Sequence, residues 1–274
     1  MLTNKLKKLK DSIKSMGSVV VAYSGGLDST FLLKVAADVL GKDNVLAVTA
    51  RSETYPVSEY NQARRLAGKI GARHIAIRTR ELSLKNFRSN PVNRCYYCKK
   101  ELFTKLEKIR ERFKMGAVLD GTNYDDLKDV RYGRLAAQEL GVKSPLLDAG
   151  IAKDQIRKLS KELKLTTWDK HSFACLASRF PFGSFITARD LKRVAKAEDY
   201  LRRLGFNQVR VRIHKDIARI ELLQEEMGKA LRMSRSITAT IKKLGFVYVT
   251  LDLAGYRTGS MHEAIGRRYR FNNN

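Results

Sequence analysis

Apolar residues recur along the chain with two different periods, and the switches between them mark out its elements. Near the N-terminus Leu2, Leu6, Leu9, Ile13 and Met16 step by threes and fours with lysines between them, the spacing of a short amphipathic helix lying on a domain. Residues 18–23 (Ser-Val-Val-Val-Ala-Tyr) form a continuous apolar run of the kind that fills a buried parallel strand. A glycine-rich turn follows, then a helical pattern over residues 30–40. Strand patterns at 44–50, 74–77 and 117–119 alternate with helical ones at 57–70, 96–113, 131–140 and 152–164. Strands alternating with helices predict a doubly wound parallel α/β sheet, whose ligands bind beyond the carboxyl ends of the strands.

Residues 166–186 follow neither period and read as an irregular linker. Beyond them a helix at 187–204, strands at 208–213 and 217–222, a mostly helical 224–244 and a strand at 246–251 predict a small α+β domain. The expected division is therefore 1–165, 166–186 and 187–274, with no internal repeat.

With 274 residues, 43% of them hydrophobic, the chain can build a real core and is not of disordered composition. No apolar run approaches the ~18 residues of a membrane span, and the N-terminus lacks the pattern of a signal peptide. A cytoplasmic protein without a membrane role is expected. The excess of 54 basic over 28 acidic residues, +26, is spread in pairs such as Lys7-Lys8, Arg64-Arg65 and Arg267-Arg268. Such a field attracts polyanions without choosing among nucleotides, phosphorylated metabolites and RNA; a plainly solvated basic surface accounts for it equally well.

The first chemical signal is Ser24-Gly25-Gly26-Leu27-Asp28-Ser29, between a predicted strand and a predicted helix. Glycines let backbone N–H groups approach an anion, and the helix N-terminus adds positive potential. Ser24 and Ser29 can donate from their hydroxyls, whereas Asp28 suits Mg²⁺ better than a phosphate. No lysine follows the glycines, so this is not a Walker A loop. It resembles the PP-loop of the ATP-pyrophosphatase superfamily, which cleaves ATP between its α- and β-phosphates. The segment Asp120-Gly121-Thr122-Asn123 ends another predicted strand on the same side of the sheet.

The three cysteines are Cys95, Cys98 and Cys175. An odd count argues against a disulfide framework. Cys95-Tyr96-Tyr97-Cys98 opens a predicted helix, where the dipole favours thiolate. Three thiolates can hold three irons of a [4Fe–4S] cluster and leave the fourth open. A Cys₃His zinc site completed by His171 or His74 fits the same residues. In Val209-Arg210-Val211-Arg212-Ile213 the alternation puts Arg210 and Arg212 on one strand face, an arrangement suited to a phosphate or carboxylate. The exposed charged face of a half-buried sheet would give the same pattern.

The sequence resembles the LarE family of ATP-dependent sulfur transferases over residues 22–32, 119–126, 167–170, 174–183, 209–221 and 255–263. The Cys-Leu-Ala-Ser-Arg-Phe-Pro block and the Gly-Tyr-Arg-Thr-Gly-Ser turn are its most specific parts. The resemblance implies an adenine nucleotide alpha hydrolase-like fold, with ATP on Ala22, Ser24, Gly25, Gly26, Asp28, Ser29, Thr30, Gly121, Thr122 and Asn123. It implies as substrate a pyridinium mononucleotide with two carboxylates. One is adenylated with release of pyrophosphate; sulfur then replaces AMP to give a thiocarboxylate, a precursor of the nickel-pincer cofactor of lactate racemase. Ser178, Arg179, Arg210, Arg212 and Arg257 match positions that bind the substrate phosphate and neighbouring groups, and Glu221 an acidic position beside them. Some members sacrifice the cysteine at the position of Cys175; those with all three cysteines resemble catalytic versions that carry the cluster and draw on an external sulfide donor. The family also implies a homo-oligomer, a hexamer. Tyr132 and His171 depart from its pattern, which often has proline there. A cluster-dependent tRNA thiolase shares the loop and the three cysteines, and a non-catalytic nucleotide-binding regulator would share the loop alone.

Overall fold

Val19, Val20 and Val21 have no solvent exposure because the strand they form, β1 (Val19–Ala22), is paired on both sides. The computed structural model describes residues 2–127, 132–170, 174–257 and 259–262. The other strands of the first sheet are β2 (Val45–Arg51), β3 (Arg73–Arg78) and β4 (Ala117–Leu119), in the order β3-β2-β1-β4 with every pair parallel. The chain works outward from β1 to β3, then crosses to β4 on the other side of β1. This reversal leaves a crevice at the carboxyl ends of β1 and β4, where open α/β sheets bind ligands. A parallel bridge between Leu119 and Lys143 continues the pairing outside β4.

Alternate residues of the strands feed two cores. Val19, Val21, Val45 and Ala47 pack with the helices Leu2–Lys14, Leu27–Leu40, Val57–Ile70 and Lys153–Glu162. Val20, Leu46 and Val48 pack with Arg94–Arg112 and Tyr132–Glu139. The helix expected at 30–40 begins three residues earlier, because an extended Gly26 hands the chain directly to Leu27 and puts Asp28 and Ser29 in its first turn. The one-turn helices Lys85–Arg88 and Pro145–Asp148 are too short to show a period and were not anticipated. No helix among the described residues is long and apolar enough to cross a membrane.

The chain divides into two compact units, Met1–Phe87 with Asn93–Phe173, and Arg88–Val92 with Ala174–Asn274. The division falls inside the irregular segment 166–186. Arg88–Val92 joins the second unit through backbone bonds from Gly183 N to Asn90 O at 2.8 Å and from Ile186 N to Arg88 O at 2.9 Å. The second unit carries a small sheet of β5 (Arg210–His214), β6 (Ile217–Glu221) and β7 (Tyr248–Leu251), ordered β5-β6-β7. β5 and β6 form an antiparallel hairpin, and β7 runs parallel to β6. Helix Ala188–Arg203 is capped by Thr187, whose hydroxyl accepts from Asp190 N at 3.1 Å. It buries Leu191, Val194, Ala197 and Leu201 in one stripe, and Glu198 lies in that stripe.

Candidate functional site

The loop after β1 holds this shape without strain only with glycine at position 25. Gly25 has φ +63°, and a Cβ there would lie 2.6 Å from Ala63 Cβ. Ser24 and Ser29 bridge the turn, their hydroxyl oxygens 3.0 Å apart, and Ser29 Oγ also accepts from Ser24 N at 3.2 Å. Two side chains from outside the loop hold its carbonyls: Tyr55 donates to Ser24 O at 2.7 Å and Lys170 to Gly25 O at 3.1 Å. The N-terminus of helix Leu27–Leu40 thus faces the crevice with its amides grouped as anion donors. The end of β4 meets it directly: a Cβ on Gly121 would come within 3.1 Å of Ser29 N, so a larger residue would separate the two segments.

Asn123 joins them through a side-chain bond to Asp28 Oδ1 at 3.3 Å. Asn123 is itself fixed, its N–H donating to Asp126 and its Oδ1 accepting from Asp125 N. Asp120 anchors the segment by accepting from the hydroxyls of Thr122 and Ser144, each at 2.7 Å. Burial pushes the Asp28 pKa up; the Lys153 ammonium opposes this and the Asp126 carboxylate adds to it. A carboxylate under that strain fits Mg²⁺, a hard cation that would relieve it. Beyond the ends of β2 and β3 a cavity of about 550 Å³ is lined by Arg51, Ser52, Tyr55, Tyr60 and Arg78 among others, room enough for a nucleoside.

Cys95 and Cys98 stand at the start of helix Arg94–Arg112, Cys95 exposed and Cys98 half-buried. Their spacing puts both thiols on one side of the helix at its positive end, with no acidic residue in the first turn. The Cys98 thiol lies 3.8 Å from Glu81 Oε1 as donor. Burial pushes the Glu81 carboxyl up, against the Thr79 hydroxyl that donates to it at 2.9 Å. Tyr96, between the cysteines, ties this helix to the next through Glu139. Cys175 belongs to the second unit, exposed and in no disulfide, just before the helical turn Leu176–Arg179. The position of Cys95 and Cys98 at a helix N-terminus favours their thiolate form, the form that ligates a metal or cluster. Among the described residues no three His, Cys, Asp or Glu side chains converge where a metal ion could sit. Of the two histidines weighed as zinc ligands, His171 lies outside the described residues. His74 bonds Thr49 at 2.9 Å and packs between Tyr23 and Tyr60, with its pKa lowered by burial and by Arg64.

The arginines of β5 do not form an exposed face. Arg210 and Arg212 are 4% and 5% exposed, and β5 is buried on both sides. Arg212 makes a two-pronged pair with Glu221, at 3.1 and 2.8 Å, and donates to Ser178 O at 2.9 Å. Glu221 also accepts from Arg219 and from Ser260. Arg179, fully buried, makes a second two-pronged pair with Glu198 at 2.7 and 2.9 Å. Its remaining donors hold Ala174 O, Cys175 O and Ser178 Oγ, so Arg179 fixes the segment that carries Cys175. Burial alone would raise the Glu198 pKa, but Arg179, Arg202 and Arg210 outweigh it and hold the carboxyl at about 2. Burial and the neighbouring Arg179 press Arg210 down to about 10, and its guanidinium lies 5.2 Å from the Tyr256 ring centre. Arg257 sits in the following turn, tied to the residue just after β6 by the bond from Tyr256 N to Leu222 O. Ser178, Arg179, Arg210, Arg212, Glu221 and Arg257 therefore lie within one unit; Glu198, which pairs there with Arg179 and Arg202 and accepts from Val211 N, was missed by sequence reasoning. The loop residues and the Asp120–Asn123 segment lie in the other.

The family model for NAD synthase matches residues 1–123, the part that carries the loop and β1 to β4. Across nearly the whole chain the protein is similar to an uncharacterised protein of Synechocystis sp., with 43% identity over 97% of this chain and 99% of that one. It is 41% identical, over 96% of each chain, to pyridinium-3,5-bisthiocarboxylic acid mononucleotide synthase of Lactiplantibacillus plantarum. A Methanocaldococcus jannaschii protein shares 32% identity over 93% of this chain and 98% of its own. The 41% identity to that synthase over nearly the whole of both chains, together with the NAD synthase match over the loop-bearing residues 1–123, identifies the chain as a member of the LarE family of ATP-dependent sulfur transferases, within the PP-loop superfamily.

Proposed function

We propose that this enzyme activates a carboxylate of a pyridinium dicarboxylate mononucleotide with ATP and converts it to a thiocarboxylate for nickel-pincer cofactor synthesis. The observation that carries this is the meeting of the phosphate loop with Asp28 and Asn123 at the switch point of the sheet. A carboxylate is a poor electrophile until one of its oxygens becomes part of a leaving group. Its oxygen attacks the α-phosphorus, the bond from that phosphorus to the bridging oxygen breaks, and pyrophosphate departs. The loop amides and the Ser24 and Ser29 hydroxyls stabilise the charge that accumulates on the leaving group. Mg²⁺, held by Asp28, would neutralise more of it. Sulfide then adds to the acyl carbon and AMP leaves, giving the thiocarboxylate.

In the second unit Ser178, Arg210, Arg212 and Arg257 are the groups for the substrate phosphate, with Glu221 holding Arg212 in place. The L. plantarum relative is named for a mononucleotide with two thiocarboxylates, which supports a carboxylate-bearing mononucleotide as the acceptor. Cys95, Cys98 and Cys175 would hold a [4Fe–4S] cluster, which when bound supplies sulfide replenished by an external donor. The reading places the enzyme in the reducing cytoplasm as a homo-oligomer.

The exposure of Cys175 favours one second reading, in which its own sulfur is spent. The test is anaerobic turnover with external sulfide, followed by intact mass of the protein. Several products per chain with Cys175 unchanged support the cluster. One product per chain, with Cys175 lighter by H₂S, supports the sacrificial route. A mobility shift with tRNA at physiological salt, and no thiocarboxylate, would favour the thiolase alternative over both.

A further inference from the structure

The stretch 167–170 carries part of the family resemblance but has no part in the chemistry above. Its structure supplies one. The turn is pinned from behind: Arg157 donates to Trp168 O at 2.6 Å and to Lys170 O at 3.1 Å, and Lys170 N bonds Thr167 O. From this turn Lys170 reaches across 145 positions of sequence to Gly25 O in the phosphate loop. Its other two bonds go to Glu59 at 2.8 Å and Gln62 at 2.7 Å, both on helix Val57–Ile70. An ammonium has three donors, and all three are engaged. Lys170 therefore grips the loop rather than standing open to a phosphate.

Tyr55 does the same one residue earlier, donating to Ser24 O. In a planar trans peptide the carbonyl of one residue and the N–H of the next point in opposite directions. Tying Ser24 O to Tyr55 thus aims Gly25 N–H the other way, and tying Gly25 O to Lys170 does so for Gly26 N–H. With Gly25 at φ +63° the two amides can turn together as a nest for anionic oxygens, Gly26 N–H giving up its long bond of 3.4 Å to Ser24 Oγ.

We infer that Lys170 and Tyr55 are positioning residues that preset the loop for the pyrophosphate portion of ATP by holding its carbonyls turned away. The place of the Walker lysine is thereby taken by a lysine behind the loop, acting on the backbone. This rests on the reading of the loop as an ATP site. The two residues share no charge type, only the carbonyl contact, so they should fail alike.

The experiment is calorimetric titration of the full chain with α,β-methylene-ATP, which resists cleavage at the relevant bond, and separately with AMP. Lys170→Met and Tyr55→Phe should each weaken the analogue by about 10-fold or more, the scale of one charge-assisted or well-buried hydrogen bond. AMP, lacking the pyrophosphate, should bind Lys170→Met within about twofold of wild type. Lys170→Arg, which can still donate to Gly25 O and Glu59, should recover most of the analogue's affinity. If Lys170→Met fails to fold, Tyr55→Phe decides alone. Wild-type affinity in Tyr55→Phe would overturn the inference and assign Lys170 a direct charge effect. Equal losses for AMP and the analogue in Lys170→Met would overturn it as well, since the damage would then not be confined to the nest. A wild-type chain that bound no analogue would instead sink the ATP reading beneath it.

Discussion

The loop of the first unit and the arginine strand of the second, the two places to which the proposed function assigns anionic ligands, are built in opposite ways. The loop uses neutral donors, amides and two serine hydroxyls, and its one gripping cation, Lys170, is turned onto a carbonyl. The second unit uses guanidinium groups sunk in a core, and two of them are neutralised by fully buried carboxylates, Arg179 by Glu198 and Arg212 by Glu221. In the loop the recognition lies in backbone shape, and single substitutions should cost ligand before they cost fold. In the second unit the proposed binding group Arg212 is also part of a structural ion pair, so its substitution should cost both.

The largest effect should come from breaking a buried pair. Glu198→Ala leaves Arg179 buried without its partner, which costs about 3–5 kcal/mol and should appear as an early transition in urea unfolding. The same pair sets an acid limit. The Glu198 carboxyl titrates near 4.5 when unperturbed and at about 2 in the fold. Its stabilising contribution is complete above pH 4.5 and is lost as pH falls towards 2, amounting to about 3 kcal/mol. Unfolding midpoints across that window should fall steeply in wild type and less steeply in Glu198→Gln.

Arg257→Ala and Arg212→Ala separate the two roles. Each should weaken acceptor binding by about 1.5–3 kcal/mol with ATP affinity unchanged. Arg212→Ala should also destabilise the fold, because Glu221 loses its two-pronged partner, whereas Arg257→Ala should not. Loss of ATP binding with acceptor binding intact would mean the two ligands are assigned to the wrong units.

Gly25→Ala should do the reverse. A positive φ and the contact with Ala63 impose about 1–3 kcal/mol of strain, relieved by moving the loop. Titration should show ATP affinity falling while the unfolding midpoint moves by only a few degrees. The smallest effect is Thr187→Ala, which removes the cap of the helix bearing Glu198 and should cost about 1 kcal/mol. If it cost as much as Glu198→Ala, the ion pair would not be what holds that unit.

The same contrast explains what could be read from the sequence. The loop was legible because backbone recognition needs its glycines and hydroxyls consecutively, between an apolar strand and a helix. The parallel sheet was legible because Val19–Val21 and Val45–Val48 are buried on both faces and read as unbroken apolar runs. The partners that hold the loop, Tyr55 and Lys170, were not legible, since nothing in their spacing links them to Gly25. Burial of Arg210 and Arg212 was missed because alternation of arginine with valine looks alike on a solvated face and on an internal ion-pair ladder. Glu198 did leave a signal: a carboxylate where Leu191, Val194, Ala197 and Leu201 set an apolar stripe. A charge at such a place needs a buried partner.

The most direct test of the central claim is to follow AMP, pyrophosphate and thiocarboxylate together, with the pyridinium dicarboxylate mononucleotide and sulfide supplied, in wild type and in Asp28→Ala. In wild type AMP and pyrophosphate should appear in equal amounts, only when the acceptor is present, and thiocarboxylate should follow them. Asp28→Ala should remain folded and release neither. ADP and orthophosphate in place of AMP and pyrophosphate, or wild-type release from Asp28→Ala, would contradict the account.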